Sequence, residues 1–124
     1  MPFFTFSQNN SGGSFDFDEE QGITHYVVIE ARDAEDANVT AIMKGLYFDG
    51  CDNGMDCSCC GDRWSRVGQY WDEAGTDAPM VYEKPVAEYV PFLGRGWMKP
   101  GKEISVHYTD GRIEWFGVNA KEAV

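Results

Sequence analysis

The segment ITHYVVIEARDAEDANVTAIMKGL, residues 23–46, contains the clearest strand and helix signals of this chain. Its first nine residues are mostly β-branched or apolar at odd and even positions alike, which is typical of a strand covered on both faces. The remainder predicts a helix, because Asp33 is a favoured N-cap residue, Lys44 suits the last turn and Gly45 can end the helix in a left-handed conformation. We therefore expect a buried strand followed directly by a helix.

The predicted helix carries a stripe of small residues on one side. Ala34, Ala37 and Ala41 recur at helical spacing, and Ile42 and Leu46 flank them. Small side chains allow a helix to lie close to a sheet. We expect this side of the helix, together with Ile42 and Leu46, to pack against the sheet, and we assign no chemistry to it.

A β-hairpin is predicted near the end of the chain, in EISVHYTDGRIEWFGV, residues 103–118. Asp110-Gly111 is a favoured dipeptide for a two-residue type I′ turn. The cross-strand pairs that such a turn produces are Tyr108 with Ile113, Val106 with Trp115, and His107 with Glu114. We accordingly interpret His107 as half of a half-exposed ion pair with Glu114, rather than as a catalytic base.

Shorter strands are predicted elsewhere in the chain. The segment PFFTFS, residues 2–7, alternates as a strand does, and further short strands are expected near residues 80–83 and 86–90. The length of 124 residues is that of one ordinary domain. Together these patterns predict a single α+β domain over residues 1–124, with a mostly antiparallel sheet and one principal helix packed on it.

Negative charge is concentrated in the first half of the chain. Residues 1–62 contain twelve Asp and Glu against Arg32 and Lys44, a net charge of −10, whereas residues 63–124 contain nine acids against eight bases, a net charge of −1. An acidic surface repels phosphate backbones, so we expect no nucleic-acid partner. No apolar run reaches the roughly 18 residues of a membrane span, and the N-terminus lacks the basic region of a signal peptide. We therefore expect a cytoplasmic protein without a membrane partner.

All four cysteines lie in GCDNGMDCSCCGDRW, residues 50–64. Cys57 and Cys60 have the C-x-x-C spacing with which two thiolates converge on one zinc ion, and Cys51 is a candidate third ligand. A complete structural site needs four ligands, and the segment has no second C-x-x-C pair. We favour reduced, packed thiols and no cofactor, because cysteine is among the most often buried residue types. Zinc is the alternative that the spacing leaves open.

The cysteine segment resembles a group of small uncharacterised proteins encoded by tailed bacteriophages. The resemblance covers about residues 23–66 and rests on the run CSCCGDRW, from Cys57 to Trp64, preceded by a helix of the form DAEDANVTAIMKG. It implies a phage-encoded product that acts in the cytoplasm of an infected bacterial host. It implies no catalytic residue.

Arginine and tryptophan recur together after the cysteines. Arg63, Trp64 and Arg66 follow the cysteines directly, and Arg95 and Trp97 lie in LGRGWMKPG. A guanidinium beside an indole binds planar or phosphorylated ligands by stacking and by paired hydrogen bonds. These five residues are our candidate ligand-binding residues. The alternative interpretation is that each Trp packs in the core and each Arg pairs with a nearby acid.

The sequence contains none of the common catalytic motifs. It has no phosphate-binding glycine loop, no His-Glu zinc helix and no G-x-S-x-G elbow. We therefore predict a non-catalytic phage accessory protein that binds or sequesters a host or phage component, either a protein surface or a small ligand. A virion-associated structural protein is the alternative, and a small cysteine- or metal-dependent enzyme is the third. The sequence leaves homo-oligomerisation open.

Overall fold

The structure, a computed structural model, describes residues 1–8, 18, 20–54, 62–68, 75–81, 84–88 and 103–116. Its elements along the chain are β1 Phe3–Ser7, β2 Tyr26–Glu30, α1 Ala34–Lys44, β3 Met80–Val81, β4 Lys84–Pro85, a 3-10 turn at Val86–Glu88, β5 Ile104–His107 and β6 Ile113–Phe116. The strand predicted at residues 2–7 and the strand and helix predicted within residues 23–46 are therefore present.

Four strands form one mixed sheet in the order β1-β2-β5-β6. β1 is antiparallel to β2, β2 is parallel to β5, and β5 is antiparallel to β6. A parallel pair requires a long crossover connection, and α1 lies in the connection between β2 and β5. β3 and β4 form a separate antiparallel pair. Within the described residues, the predicted α+β class with a mostly antiparallel sheet and one principal helix is confirmed.

The four-stranded sheet is covered on both faces. One apolar cluster joins the sheet to α1 and includes Phe4, Phe6, Val27, Ile29, Ala37, Ala41 and Trp64. A second cluster uses the residues that point the other way and includes Phe3, Tyr26, Val28, Val81, Ile104 and Val106. Val27, Val28 and Ile29 of β2 are fully buried. The prediction that this strand is covered on both faces is therefore confirmed.

The caps of α1 are the ones that the sequence predicts. The side chain of Asp33 accepts a hydrogen bond from the amide of Asp36 at 2.8 Å, and Gly45 ends the helix at a φ of 114°, in the left-handed conformation. Ala41 is buried against the sheet. Ile42, however, is 54% exposed, so its predicted packing is wrong. Successive helical residues are about 100° apart, which turns Ile42 away from the alanine stripe.

The β5–β6 hairpin is present, but its predicted register is wrong by one residue. The observed pairs are Ile104 with Phe116, Ser105 with Trp115, Val106 with Glu114, and His107 with Ile113. His107 therefore does not face Glu114, and the predicted half-exposed ion pair is wrong. Glu114 instead accepts a hydrogen bond from the hydroxyl of Tyr108, which is its diagonal neighbour on the same face.

A three-residue loop sets this register. The amide of Tyr108 donates to the carbonyl oxygen of Arg112 at 2.9 Å, and the amide of Gly111 donates to the carbonyl oxygen of Tyr108 at 3.0 Å. A two-residue type I′ turn would require a positive φ at Asp110 as well as at Gly111. In the observed loop Gly111 alone has a positive φ, of 91°. The longer loop therefore avoids the cost of a left-handed aspartate.

The prediction of short strands near residues 80–83 and 86–90 is partly correct. β3 is present at Met80–Val81 and pairs with β4. Val86–Glu88 forms a 3-10 turn instead of a strand, so the second prediction is wrong for these residues. The amide of Val86 donates to the carbonyl oxygen of Pro79 at 3.2 Å, which continues the antiparallel register of β3 and β4 by one residue.

Candidate functional site

Three of the five candidate ligand-binding residues lie in the described segment 62–68. They are Arg63, Trp64 and Arg66, and each has a different environment. Arg95 and Trp97 lie outside the described residues. The structure therefore bears on the first three alone.

Trp64 belongs to the core and not to an exposed surface. Its side chain is 1% exposed and packs in the cluster that joins the sheet to α1. The neighbouring Arg63 donates from Nε to the hydroxyl of Tyr47 and from a terminal nitrogen to Oε1 of Gln8, both at 3.2 Å. Trp64 thus presents no indole face for stacking, and Arg63 uses its donors to connect the end of β1 with the loop after α1.

Arg66 forms an ion pair with Asp49. A terminal nitrogen of Arg66 lies 2.8 Å from Oδ2 of Asp49, and the guanidinium carbon lies 5.0 Å from the centre of the Phe48 ring. The hydrogen bond from Arg66 lowers the pKa of the Asp49 carboxyl, and the same bond raises the pKa of Arg66. Solvent screens the pair, because both side chains are well exposed. Arg66 is therefore engaged by an acid of its own chain.

The described ends of the cysteine segment are held together by hydrogen bonds. The amide of Cys51 donates to Oδ1 of Asp62 at 2.9 Å, which joins the two ends. The amide of Asn53 donates to the carbonyl oxygen of Asp49 at 3.1 Å, which forms a turn at the first end. Asp49 has a φ of 59°, a left-handed conformation that aspartate tolerates better than most residues do. The described ends of the cysteine segment are therefore joined by a hydrogen bond within the chain.

The predicted zinc ligands are described only in part. Cys51 is half-buried, whereas Cys57 and Cys60 lie outside the described residues. Among the residues that the structure does describe, no three His, Cys, Asp or Glu side chains are grouped as a metal site would require. Zinc binding by the cysteine segment therefore stays the alternative that the Cys57–Cys60 spacing leaves open, and packed thiols stay our prediction.

His107 is buried and makes its polar contacts through one ring nitrogen. Its Nε2 lies 2.9 Å from the carbonyl oxygen of Gly22 and 3.1 Å from Oγ of Ser105. Because a carbonyl oxygen only accepts, we assign the ring proton to Nε2 from this geometry. Nδ1 is then an unprotonated nitrogen, and it is buried without a hydrogen-bond partner among the described residues.

The Ser105–His107 pair is a structural contact and not a nucleophile with its base. Oγ of Ser105 donates to the carbonyl oxygen of Gly22 at 2.6 Å, so its proton is directed away from the imidazole. Burial lowers the pKa of His107 to about 4. Burial also lowers the pKa of His25, whose ring stacks on Tyr26, to about 4. Both histidines are therefore neutral at pH 7, and His107 connects β5 to the segment before β2.

Three large apolar residues of α1 are exposed beside one another. Val39 is 52% exposed, Ile42 is 54% exposed and Met43 is 80% exposed. Their spacing of three and four residues places them on one side of the helix, away from the buried alanines. Among the described residues, Met1 is the other exposed large hydrophobic residue. We refer to Val39, Ile42 and Met43 as the α1 surface.

The sequence interpretation missed the α1 surface, although a signal for it was present. A helix that covers one face of a sheet needs a single apolar side. Ala37 and Ala41 supply that side, so the apolar residues at positions 39, 42 and 43 exceed what packing requires. The sequence analysis assigned Ile42 to the packed side with the alanines, so the number of exposed apolar residues on α1 was underestimated.

Acidic residues precede the α1 surface on the same helix. Glu35 is exposed and lies one turn before Val39. Asp36 is paired with Arg32, whose Nε lies 3.6 Å from its Oδ2. Lys44 is half-buried and lies seven residues, about two turns, after the buried Ala37, which places Lys44 on the sheet side of the helix. The exposed side of α1 is therefore acidic at its start and apolar towards its end.

A family model described as Domain of unknown function (DUF7296) matches residues 1–123. The chain belongs to the DUF7296 family. No curated protein and no solved structure matches it significantly. Within the described part of this DUF7296 chain, every helix is too short or too polar to span a bilayer. The candidate arginines and the histidines there hold the fold together, whereas the α1 surface is exposed to solvent.

Proposed function

We propose that this DUF7296 chain is a non-catalytic accessory protein that binds a protein of a phage or of its bacterial host through the α1 surface. The observation that carries the proposal is the exposure of Val39, Ile42 and Met43 side by side on a well-capped helix. Adjacent exposed apolar side chains are a common mark of protein interaction sites.

The physical advantage of such a surface is the apolar area that a partner removes from water. Each Å² of apolar surface that becomes buried contributes roughly 25 cal/mol to the free energy of binding. Because the helix is already folded against the sheet, binding does not have to order it first. Methionine also adapts its shape to different partners, because its side chain is unbranched and polarisable. Met43, the most exposed of the three residues, suits such a contact.

A small ligand is the less well supported partner. The predicted ligand residues that the structure describes are a buried indole and two guanidinium groups that contact Tyr47, Gln8 and Asp49. Binding a ligand at Arg63 would first require the loss of contacts within the chain. The α1 surface requires no such loss, which favours a macromolecular partner.

The setting that we propose is the cytoplasm of an infected bacterium. The resemblance of residues 23–66 to small tailed-phage proteins supports it. A virion-associated structural protein remains the alternative. Mass spectrometry separates the two, because a structural protein is found in purified particles and an accessory protein is found only in the lysate of infected cells.

The α1 surface is tested with a double variant, Ile42→Ser with Met43→Ser, against Asp77→Ser. Asp77 is exposed and lies outside α1, so its substitution controls for a general change in surface. Tagged wild-type protein and both variants are produced in infected cells, cross-linked and analysed by quantitative mass spectrometry. We expect a partner that is enriched with the wild type and with Asp77→Ser but lost with the double variant.

The melting temperature of the double variant makes the result decisive. The double variant should stay folded, with a melting temperature within a few degrees of the wild type, because Ile42 is 54% and Met43 80% exposed and exposed substitutions change stability by roughly 0.5 kcal/mol or less. A partner that is captured equally by all three proteins would show that the α1 surface is not the binding site. An enriched protein whose capture depends on Ile42 and Met43 would support it.

A further inference from the structure

We infer that the partner of the α1 surface presents apolar side chains next to basic ones, an inference that rests on the proposed function. It follows from the order of residues on the exposed side of α1. Glu35 precedes Val39 by one turn, about 6 Å along the helix axis. A partner that covers Val39, Ile42 and Met43 therefore meets the Glu35 carboxylate at the edge of the same contact.

The charges near the α1 surface leave this carboxylate available. Arg32, the nearest cation in the sequence, pairs with Asp36. Lys44 lies on the sheet side, two turns after the buried Ala37. Among the described residues, no cation pairs with Glu35. A lysine or arginine of a partner would pair with it beside the apolar contact, where desolvation strengthens the attraction.

The same charges argue against a second copy of this chain as the occupant. Two copies would each bring a net charge of −11, and their repulsion opposes association. An antiparallel contact between two α1 helices would bring Glu35 to the end of the other helix, but the half-buried Lys44 there lies on the side of its own sheet. An anionic bilayer is disfavoured for the same reason, because like charges repel. A basic protein surface is the occupant that fits.

Synthetic helical peptides test this chemistry directly. One peptide carries Leu on one side and Lys on the flanks, a second has Glu in place of each Lys, and a third has Ser in place of each Leu. Protein labelled with [¹³C-methyl]methionine reports binding at Met43 by NMR. We expect the Leu–Lys peptide to shift the Met43 signal and to bind at least tenfold more tightly than either of the other two.

A matched pair of variants tests whether the Glu35 carboxylate contributes to binding of the Leu–Lys peptide. Glu35→Gln and Glu88→Gln remove the same charge from exposed positions, one beside the α1 surface and one in the turn at Val86–Glu88. We expect Glu35→Gln to weaken the Leu–Lys peptide about threefold, as for a partly exposed ion pair, and Glu88→Gln to have no effect. Equal weakening by both variants would mean that the peptide senses only the net charge and would overturn the inference.

The remaining outcomes separate the inference from the proposed function. If the Leu–Lys and Leu–Glu peptides bind equally well at Met43, the inference fails while the α1 surface still stands as a docking site. If neither shifts Met43 but infected-cell capture depends on Ile42, the charge inference again fails alone. If sedimentation shows a dimer that Ile42→Ser with Met43→Ser abolishes, the occupant is a second copy and the inference is overturned.

Discussion

Asn38 of α1 forms two hydrogen bonds with the backbone of Val67. Its Nδ2 donates to the carbonyl oxygen at 3.0 Å, and its Oδ1 accepts from the amide at 2.9 Å. The side-chain amide therefore takes the place that the peptide group of a neighbouring strand would have in a sheet. This contact holds the segment after the cysteines against the helix and keeps the neighbouring Trp64 in the core.

We predict that Asn38→Ala lowers the free energy of unfolding by about 1–2 kcal/mol. Two hydrogen bonds of roughly 1 kcal/mol each are lost, and the higher helix propensity of alanine offsets part of that loss. Urea unfolding at pH 7 measures the change. Thr40→Ala is the control, because it raises helix propensity on the same helix without removing this contact. Equal stability of the two variants would contradict the structural role of Asn38.

We predict that the stability of the fold decreases as the pH falls from about 6.5 towards 4. An unfolded histidine has a pKa near 6.5, whereas burial lowers the pKa of His107 to about 4. The unfolded chain therefore binds the proton more readily across this range, and protonation favours unfolding. The contribution of His107 is complete above pH 6.5 and decreases by about 2 kcal/mol at pH 5.

His107→Gln isolates this contribution. The glutamine amide can donate to the carbonyl oxygen of Gly22, as Nε2 of the imidazole does, but it does not titrate. We expect the variant to lose less stability than the wild type between pH 7.5 and pH 5, as measured by urea unfolding. His25 and the carboxylates titrate in both proteins, so a pH profile that is identical for the two would show that His107 makes no contribution.

Gly22 and Gly111 form a matched pair for a test of close packing. Both have a positive φ, of 74° and 91°. A Cβ at Gly22 would lie 2.6 Å from Cε1 of His107, whereas a Cβ at Gly111 would meet nothing within 4 Å. We expect Gly111→Ala to cost about 1–2 kcal/mol from backbone strain alone and Gly22→Ala to cost clearly more. Equal melting temperatures for the two variants would argue against the contact with His107.

Variants of Trp64 test whether this residue packs in the core or binds a ligand. Because its side chain is 1% exposed, Trp64→Ala should lower the free energy of unfolding by about 3–5 kcal/mol, as large core truncations do. Trp64→Phe keeps an aromatic ring in the core and should cost less. A residue that serves only to stack on a ligand would give the opposite result, with an unchanged melting temperature in the alanine variant and a loss of binding.

The cysteine segment is tested by the removal of metal. If Cys57 and Cys60 bind zinc, metal binding contributes on the order of 10 kcal/mol to folding, and a strong chelator lowers the melting temperature by many degrees. We expect no such decrease and less than one zinc per chain by elemental analysis. Cys59→Ala is the internal control, because under zinc binding it should be far milder than Cys60→Ala. Stoichiometric zinc would overturn our preference for packed thiols.

Some features of this fold could be predicted because their causes lie within a few residues. The cap at Asp33, the end of α1 at Gly45 and the two-sided burial of β2 all follow from neighbouring side chains and from the spacing of apolar residues. The α+β class then follows from one helix and several short strands. For the same reason the hairpin was found, since Asp110-Gly111 marks a turn.

Other features were decided by contacts between distant parts of the chain. Gly22 lies 85 residues before His107 in the sequence, yet its carbonyl oxygen accepts a hydrogen bond from that imidazole. The β5–β6 register observed together with this bond differs by one residue from the register that local turn preferences predicted. Trp64 is buried, and not available to a ligand, because it packs in the cluster that joins the sheet to α1. Local sequence patterns therefore specified β1, β2, α1 and the β5–β6 hairpin. Tertiary packing decided which side chains remain exposed, because burial depends on partners that no local pattern specifies.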